Sequence, residues 1–309
     1  MQSPLPSRLR QVLLERYLGA GGWSYSIDGH QRATEPTALA VLACCGRPDD
    51  LVRRQNADGS WAPVHPGVSG ALPGGWSTSL AVIALLRTRP SDSGILRALH
   101  WLCASRGIES HWLWRWKFKV ADTQVAFDPG KYGWTWAPGM ASWVIPTAFA
   151  LLALRLGMEQ GLVSSGVEDR LRVGREMLMD RACPDGGWNA GNSRVFGAAL
   201  EPHIDATAIA LLALQGTTGQ NDGLLSGSFN QLLVRTRQCL GASSLAWSLL
   251  ALHALRETPG LAGEITDRVA QLERLLHSPE RIADNSTLAV SALALDAVTS
   301  DRNPFEVRR

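Results

Sequence analysis

An alanine-rich apolar phrase recurs six times along the chain. It reads PTALAVLA at 36–43, STSLAVIALL at 77–86, PTAFALLAL at 146–154 and ATAIALLAL at 206–214, with looser copies SSLAWSLLAL at 243–252 and STLAVSALAL at 286–295. Each copy is apolar on nearly every side, the pattern of a helix buried around its whole circumference. Upstream of the phrases lie segments that are apolar on one face only. In the first, Leu5, Leu9, Val12 and Leu13 share a face; in the last, Ile265, Val269, Leu272, Leu275 and Leu276 do. These offsets follow a helical period, with Arg, Glu and Asp on the opposite side. The pattern predicts six inner helices, each preceded by an outer one, with the remaining outer helices near 49–55, 91–105, 168–182 and 226–240. Thr37 and Thr78 lie 78 − 37 = 41 residues apart, and Thr147 and Thr207 follow after 69 and 60, so the middle units carry insertions.

The turns from outer to inner helices carry a second signature: AGGWS at 20–24, QNADGSW at 55–61, PGGWS at 73–77 and CPDGGWN at 183–189. Asp-Gly and Gly-Gly steps suit left-handed helix ends and tight turns, and the Trp that follows can fold back as a wedge between layers. Together with the TALAxLAL-type inner helices, QNADGSW and CPDGGWN resemble the QW-type repeats of squalene-hopene and oxidosqualene cyclases and of protein prenyltransferase β subunits. The resemblance runs from about Gly21 to Leu295. It implies that the six pairs close into an all-α, α/α toroid around a central cavity, a single domain over 1–309 with an aromatic-rich insertion at about 107–142. One departure is plain. Only Gln55 supplies the glutamine of the motif; the matching position before Trp188 is Ala182.

Composition narrows the function classes. Thirty basic and 28 acidic side chains are scattered to a net charge of +2, which offers no field to gather nucleic acid. Five cysteines form no CxxC pair and fit a reducing compartment. The N-terminal segment has no apolar core of a secretory signal, and the longest apolar run, 142–154, is short of a membrane span and contains Pro146. A cytoplasmic protein is expected, with peripheral contact to the inner face of a membrane as an extension. Twelve tryptophans suit interfaces between layers or the walls of an apolar cavity.

In a toroid, the starts of the inner helices face one end of the cavity, and the acids placed there are Glu35, Asp205 and Asp284, with His203 beside them. HIDATA at 203–208 resembles the catalytic stretch of class II terpenoid cyclases, in which an Asp two residues before a Thr protonates an alkene or epoxide. The resemblance implies Asp205 as the acid and His203 as its tuning partner; a desolvated carboxylic acid is what such a proton transfer needs. Asp205 could equally be a helix cap, as could Asp284, and Glu35 before Pro36 suits a helix dipole. Trp76, Trp134, Trp136, Trp143 and Trp188 are expected to line the cavity with Glu35 and Asp284, their faces stabilising carbocations. The chain has no HExxH, paired CxxC, DDxxD-like or glycine-rich phosphate motif, so no metal or other cofactor is predicted.

The insertion reads HWLWRWKFKV from His111, with Trp112, Trp114, Trp116 and Phe118 alternating with Leu113, Arg115, Lys117 and Lys119. Alternation of this kind predicts an extended rim strand, covering the toroid or touching anionic headgroups. The functional expectation is a metal-independent cyclase or isomerase acting on an isoprenoid or other apolar small molecule. The full cyclases of the resembled group use two helical barrels and this chain has one, so the substrate is shorter, a second subunit completes the site, or the reaction is lost. The alternatives are a non-catalytic isoprenoid- or lipid-binding protein and a protein-interaction scaffold.

Overall fold

The computed structural model describes residues 5–64, 72–121, 126–163, 166–217 and 222–307. Six inner helices are present: α2 (Thr34–Leu42), α4 (Gly75–Thr88), α7 (Val144–Glu159), α9 (Ile204–Ala213), α11 (Ala242–Ala254) and α13 (Asn285–Ser300). Each packs on the next, and α13 packs on α2, so the ring is closed. Outside it stand α1 (Leu5–Glu15), α3 (Asp49–Val52), α5 (Gly94–Ala104), α8 (Val167–Asp180), α10 (Asp222–Thr236) and α12 (Leu261–Leu275). The second outer helix, expected over 49–55, is a single turn. The chain leaves it at Arg53 and enters the QNADGSW turn.

Four tryptophans repeat one structural node. Trp23, Trp61, Trp134 and Trp188 are fully buried, and their indole N–H groups donate to the carbonyls of Leu13, Leu51, Leu102 and Leu178 at 2.6–2.9 Å. Those carbonyls lie in the last turn of an outer helix, where no backbone donor remains within the helix. The backbone N–H of each Trp then donates to a Thr hydroxyl, of Thr37, Thr78, Thr147 and Thr207, at 2.9–3.1 Å. In every case that Thr is the fourth residue of the inner helix. One side chain thus ties the end of the outer layer to the start of the inner. Gly22 and Gly187 precede two of these tryptophans with φ of 79°, and a Cβ on either would sit 2.6 or 2.9 Å from the Thr hydroxyl.

Gln55 adds a tie of its own. Its amide donates to the carbonyls of Gly59 and Gly94, joining its turn to the start of α5. The last two units lack the Trp node; there Gln271 and Arg268 of α12 reach Cys239, Leu233 and Thr236 at the end of α10.

The inner helices run parallel. Backbone N–H groups at their starts bond the loop of the next unit around the ring: Thr34 to Pro63, Gly75 to Thr135, Val144 to Ala190 and Asn285 to Tyr25. All their amino ends therefore share one rim. At that rim the ring encloses a depression about one helical turn deep: Glu35, Trp76, Ile145, Asp205, Ser244 and Thr287 keep accessible surface, while the second turn onward is buried. The carboxyl end is filled. Residues 301–307 cross it, and Phe305, fully buried, meets Trp247 at 5.1 Å and Phe149 at 6.4 Å between ring centroids. Gln215 and Asn303 fix this tail to the ring through Phe305, Val307 and Leu250, and Arg256 pairs with Asp301 and Glu306.

The 112–119 segment departs from expectation: it is a helix, α6 (Trp112–Val120), not a strand. Aromatics at every second residue are also aromatics at every fourth, and on a helix they divide between two faces. Phe118 meets Phe127 at 5.1 Å with Trp114 beside it on the less exposed face, while Trp112 and Trp116 point to solvent. The only paired strands among the described residues are β1 (Arg194–Val195) and β2 (Ala198–Ala199), a short hairpin on the same rim.

Candidate active site

Two neighbouring inner helices and two loops build a group around one carboxyl on the floor of the amino-end depression. Glu35 stands in the first turn of α2, where the helix dipole receives an acid. Tyr25, from the loop after Trp23, donates its hydroxyl to Glu35 Oε2 at 3.1 Å, and Trp76, in the first turn of α4, donates its indole N–H to the same oxygen at 3.2 Å. Among the described residues no donor meets Oε1. Trp136 closes the group, its ring edge-on to Trp76 at 4.8 Å.

Burial pushes the Glu35 carboxyl above its ordinary range; the bonds from Trp76 and Tyr25 oppose the shift, and the nearby charge of Asp284 adds to it. The Tyr25 phenol is also pushed up, by burial first and then by Glu35, so it remains a donor. The shift extends upward the pH range over which the carboxyl keeps its proton. When it gives up its proton, two fixed donors already face the oxygen that takes the charge.

Asp284 is the cap of α13. Its Oδ2 accepts from the Thr287 N–H and hydroxyl at 2.7 and 2.6 Å, and its Oδ1 accepts from Ser286 N at 3.4 Å. Both oxygens are committed. Asp205 lies across the ring from Glu35, in the first turn of α9, and its Oδ1 accepts from the Ala206 N–H at 2.9 Å. His203, the residue before the helix, is turned to solvent, and the two side chains are not joined. Trp143 is half-buried at the start of α7, with the Gly191 loop packed against its ring. Trp134 and Trp188 sit in the inter-layer nodes with their N–H groups engaged, and the Arg170 guanidinium stacks on Trp134 at 3.4 Å.

Sequence had therefore named the carboxyls at the starts of the inner helices but not Tyr25, the residue that completes the Glu35 group. Its signal is its place, two residues after the wedge Trp23 in a loop that bonds the start of α13. Among the described residues no three His, Cys, Asp or Glu side chains gather as a metal-ligand set. No described helix is long and apolar enough to cross a membrane.

No protein-family model and no curated protein sequence matches this chain. Solved structures do. A protein from Actinoplanes is similar at a TM-score of 0.59 and 17% identity, over 96% of this chain and 98% of that one. An inactive variant of the alpha-1,6-mannanase GH76A of Salegentibacter sp. HEL1_6, in complex with alpha-1,6-mannotetrose, gives 0.60 at 13% identity over 95% and 97%. The ent-copalyl diphosphate synthase from Streptomyces platensis gives 0.53 at 18% identity over 93% of this chain and 50% of that one, so this chain spans half the synthase. At these identities the likeness establishes the α/α toroid and nothing finer.

Proposed function

We propose that the protein is a Brønsted-acid catalyst related to the class II terpene cyclases, with Glu35 as the acid and an isoprenoid as substrate. The observation that supports this most directly is the convergence of Tyr25 and Trp76 on one oxygen of a desolvated carboxyl. Protonating an alkene needs an acid that holds its proton against ionisation yet has a stabilised conjugate base; burial of Glu35 works toward the first, and the bonds from Tyr25 and Trp76 supply the second. The proton leaves Glu35 Oε1, the π pair forms the new C–H bond, and the cation develops on the neighbouring carbon under the faces of Trp76 and Trp136. A second alkene attacks that cation and the cyclic cation so formed loses a C–H proton to the Glu35 carboxylate, or the first cation loses one directly and the reaction ends as an isomerisation. One structural neighbour is named for making an isoprenoid diphosphate of this chemistry.

The shallow depression suits the terminal unit of a chain better than a whole folded polyene. Glycoside hydrolysis, suggested by the mannanase likeness, ordinarily takes two available carboxyl groups, one acid and one base or nucleophile. Asp284, the acid nearest Glu35, has both oxygens bonded in its cap and is poorly placed for the second role.

Glu35→Gln should abolish conversion of isoprenoid alkenes while leaving their binding intact, because the amide keeps the acceptor for Tyr25 and Trp76 but has no acidic proton. Product analysis by mass spectrometry, set beside binding measurements and an Asp205→Asn control, checks this. Loss in Asp205→Asn with activity kept in Glu35→Gln would place the acid across the ring, as the HIDATA resemblance implies. Binding without conversion by the wild type would favour a lipid-binding protein. The titration offers a separate check. A carboxyl whose folded value is raised contributes stability that is fully present below its unfolded value and lost as pH rises through the folded one. Wild type should therefore lose stability relative to Glu35→Gln as pH climbs above the ordinary carboxylate range, and melting curves read across that window measure it.

A further inference from the structure

Most of the exposed large apolar side chains among the described residues lie at one end of the ring. Among the described residues, large hydrophobic side chains open to solvent occur on the segments that join an outer helix to the next inner one, such as Ile27, Leu72, Trp112, Trp116, Phe196 and Leu240. The exceptions, Leu14, Leu96 and Val234, lie along the sides of outer helices. None lies on the described segments at the opposite end. The apolar end is the one that carries the depression. Isolated exposed hydrophobics need no explanation, but their gathering on one rim does.

Helix α6 is the strongest element of that rim, since none of its residues is buried. Trp112, Trp116 and Val120 recur at four-residue spacing and are 72, 60 and 60% exposed. At about 100° per residue, Leu113 falls beside them, and Lys117 and Lys119 fall on either flank. No acidic residue occurs from 111 to 121. A helix this short, about 13 Å long, cannot span a bilayer. Its features are those of a helix lying in the bilayer interface: an apolar face with tryptophan, flanked by lysines that make no ion pair among the described residues. The hairpin stands next to it, through the bond from Ala126 N to Arg194 O, and offers Phe196, 75% exposed at its tip.

We infer that the amino-end rim docks on an anionic bilayer surface, with α6 in the interface and the hairpin tip beside it, so that the depression opens onto the lipid. Anionic headgroups are the partner because the cations of α6 are not matched by acids of its own. The inference stands whether or not Glu35 is the acid.

Sedimentation with vesicles of phosphatidylcholine alone, and of equal parts phosphatidylcholine and phosphatidylglycerol, tests it. Wild type should bind the mixed vesicles, more weakly as salt rises. The double variant Trp112→Ser, Trp116→Ser should bind about tenfold less or worse, since two interfacial anchors are gone. Lys117→Glu with Lys119→Glu should lose the preference for the anionic vesicles, and Val234→Ser, off the rim, should bind like wild type. All these side chains are exposed, and unchanged circular dichroism melts verify that the variants fold. Glu35→Gln should bind vesicles as wild type does, which separates this outcome from that of the acid. The inference is overturned if wild type ignores both vesicles, if the tryptophan variant binds undiminished, or if light scattering shows the rim joining two copies in solution without vesicle binding.

Discussion

Trp134→Ala should remove about 3–5 kcal/mol from the free energy of unfolding, the range for deleting a buried aromatic side chain. The indole fills space between α5 and α7, its N–H satisfies the Leu102 carbonyl at 2.8 Å, and its face carries the Arg170 guanidinium. Alanine would leave a void, an unpaired buried carbonyl and a buried cation without its stacking partner. Arg170 itself is already held down to about 9 by burial, so losing that partner falls on a group with little solvent to compensate. Trp134→Phe should cost less, because it keeps most of the packing and loses only the hydrogen bond, about 1–3 kcal/mol for the orphaned acceptor. Denaturant titration of both variants checks the order. A Trp134→Phe protein as unstable as Trp134→Ala would mean that the N–H, rather than the volume, holds the layers together.

Phe305→Ala should produce a loss of similar size, about 3–5 kcal/mol, by a different route. Phe305 is carried on an irregular tail, yet it is fully buried against Phe149 and Trp247, which come from two different inner helices. Its removal would leave a dry apolar hole on the ring axis. Small apolar molecules enter such holes, so benzene should raise the melting temperature of Phe305→Ala and leave wild type unchanged. Equal response of the two proteins would show that the tail relaxes to fill the space.

The sequence made some of these features easy to find and hid others. Inner helices stood out because a helix buried on all sides has no polar face to interrupt its apolar run, as in PTAFALLAL. Three of the four wedge tryptophans have a local signal too; Trp134, whose Leu102 lies 32 residues before it across the insertion, does not. A Leu lies ten residues before Trp23, Trp61 and Trp188, and a Thr follows each within 14 to 19 residues. Trp76 and Trp136 lack that pair of markers and are the tryptophans found beside Glu35. The Glu35 group itself was not legible, because its donors come from two other places in the chain, 10 and 41 residues away. All three acids of the rim look alike in sequence; only the tertiary partners separate a desolvated acid from a cap. The strand expected at 112–119 failed on arithmetic. A two-residue period contains the four-residue one, and α6, with no buried residue, offered no core face to decide between them.

Closure of the ring through α13 imposes an order on biosynthesis. Both α1 and α2 pack on α13, the sixth inner helix in chain order. The first unit therefore cannot cover its apolar surface with native partners until α13 has been made, a delay of roughly 10 to 50 s at ordinary elongation rates. During that interval Leu9, Leu13 and Leu39, all fully buried in the finished protein, have only nascent neighbours. Chaperone demand should thus fall on the amino-terminal unit, and a circular permutant that begins at α13 should need less of it.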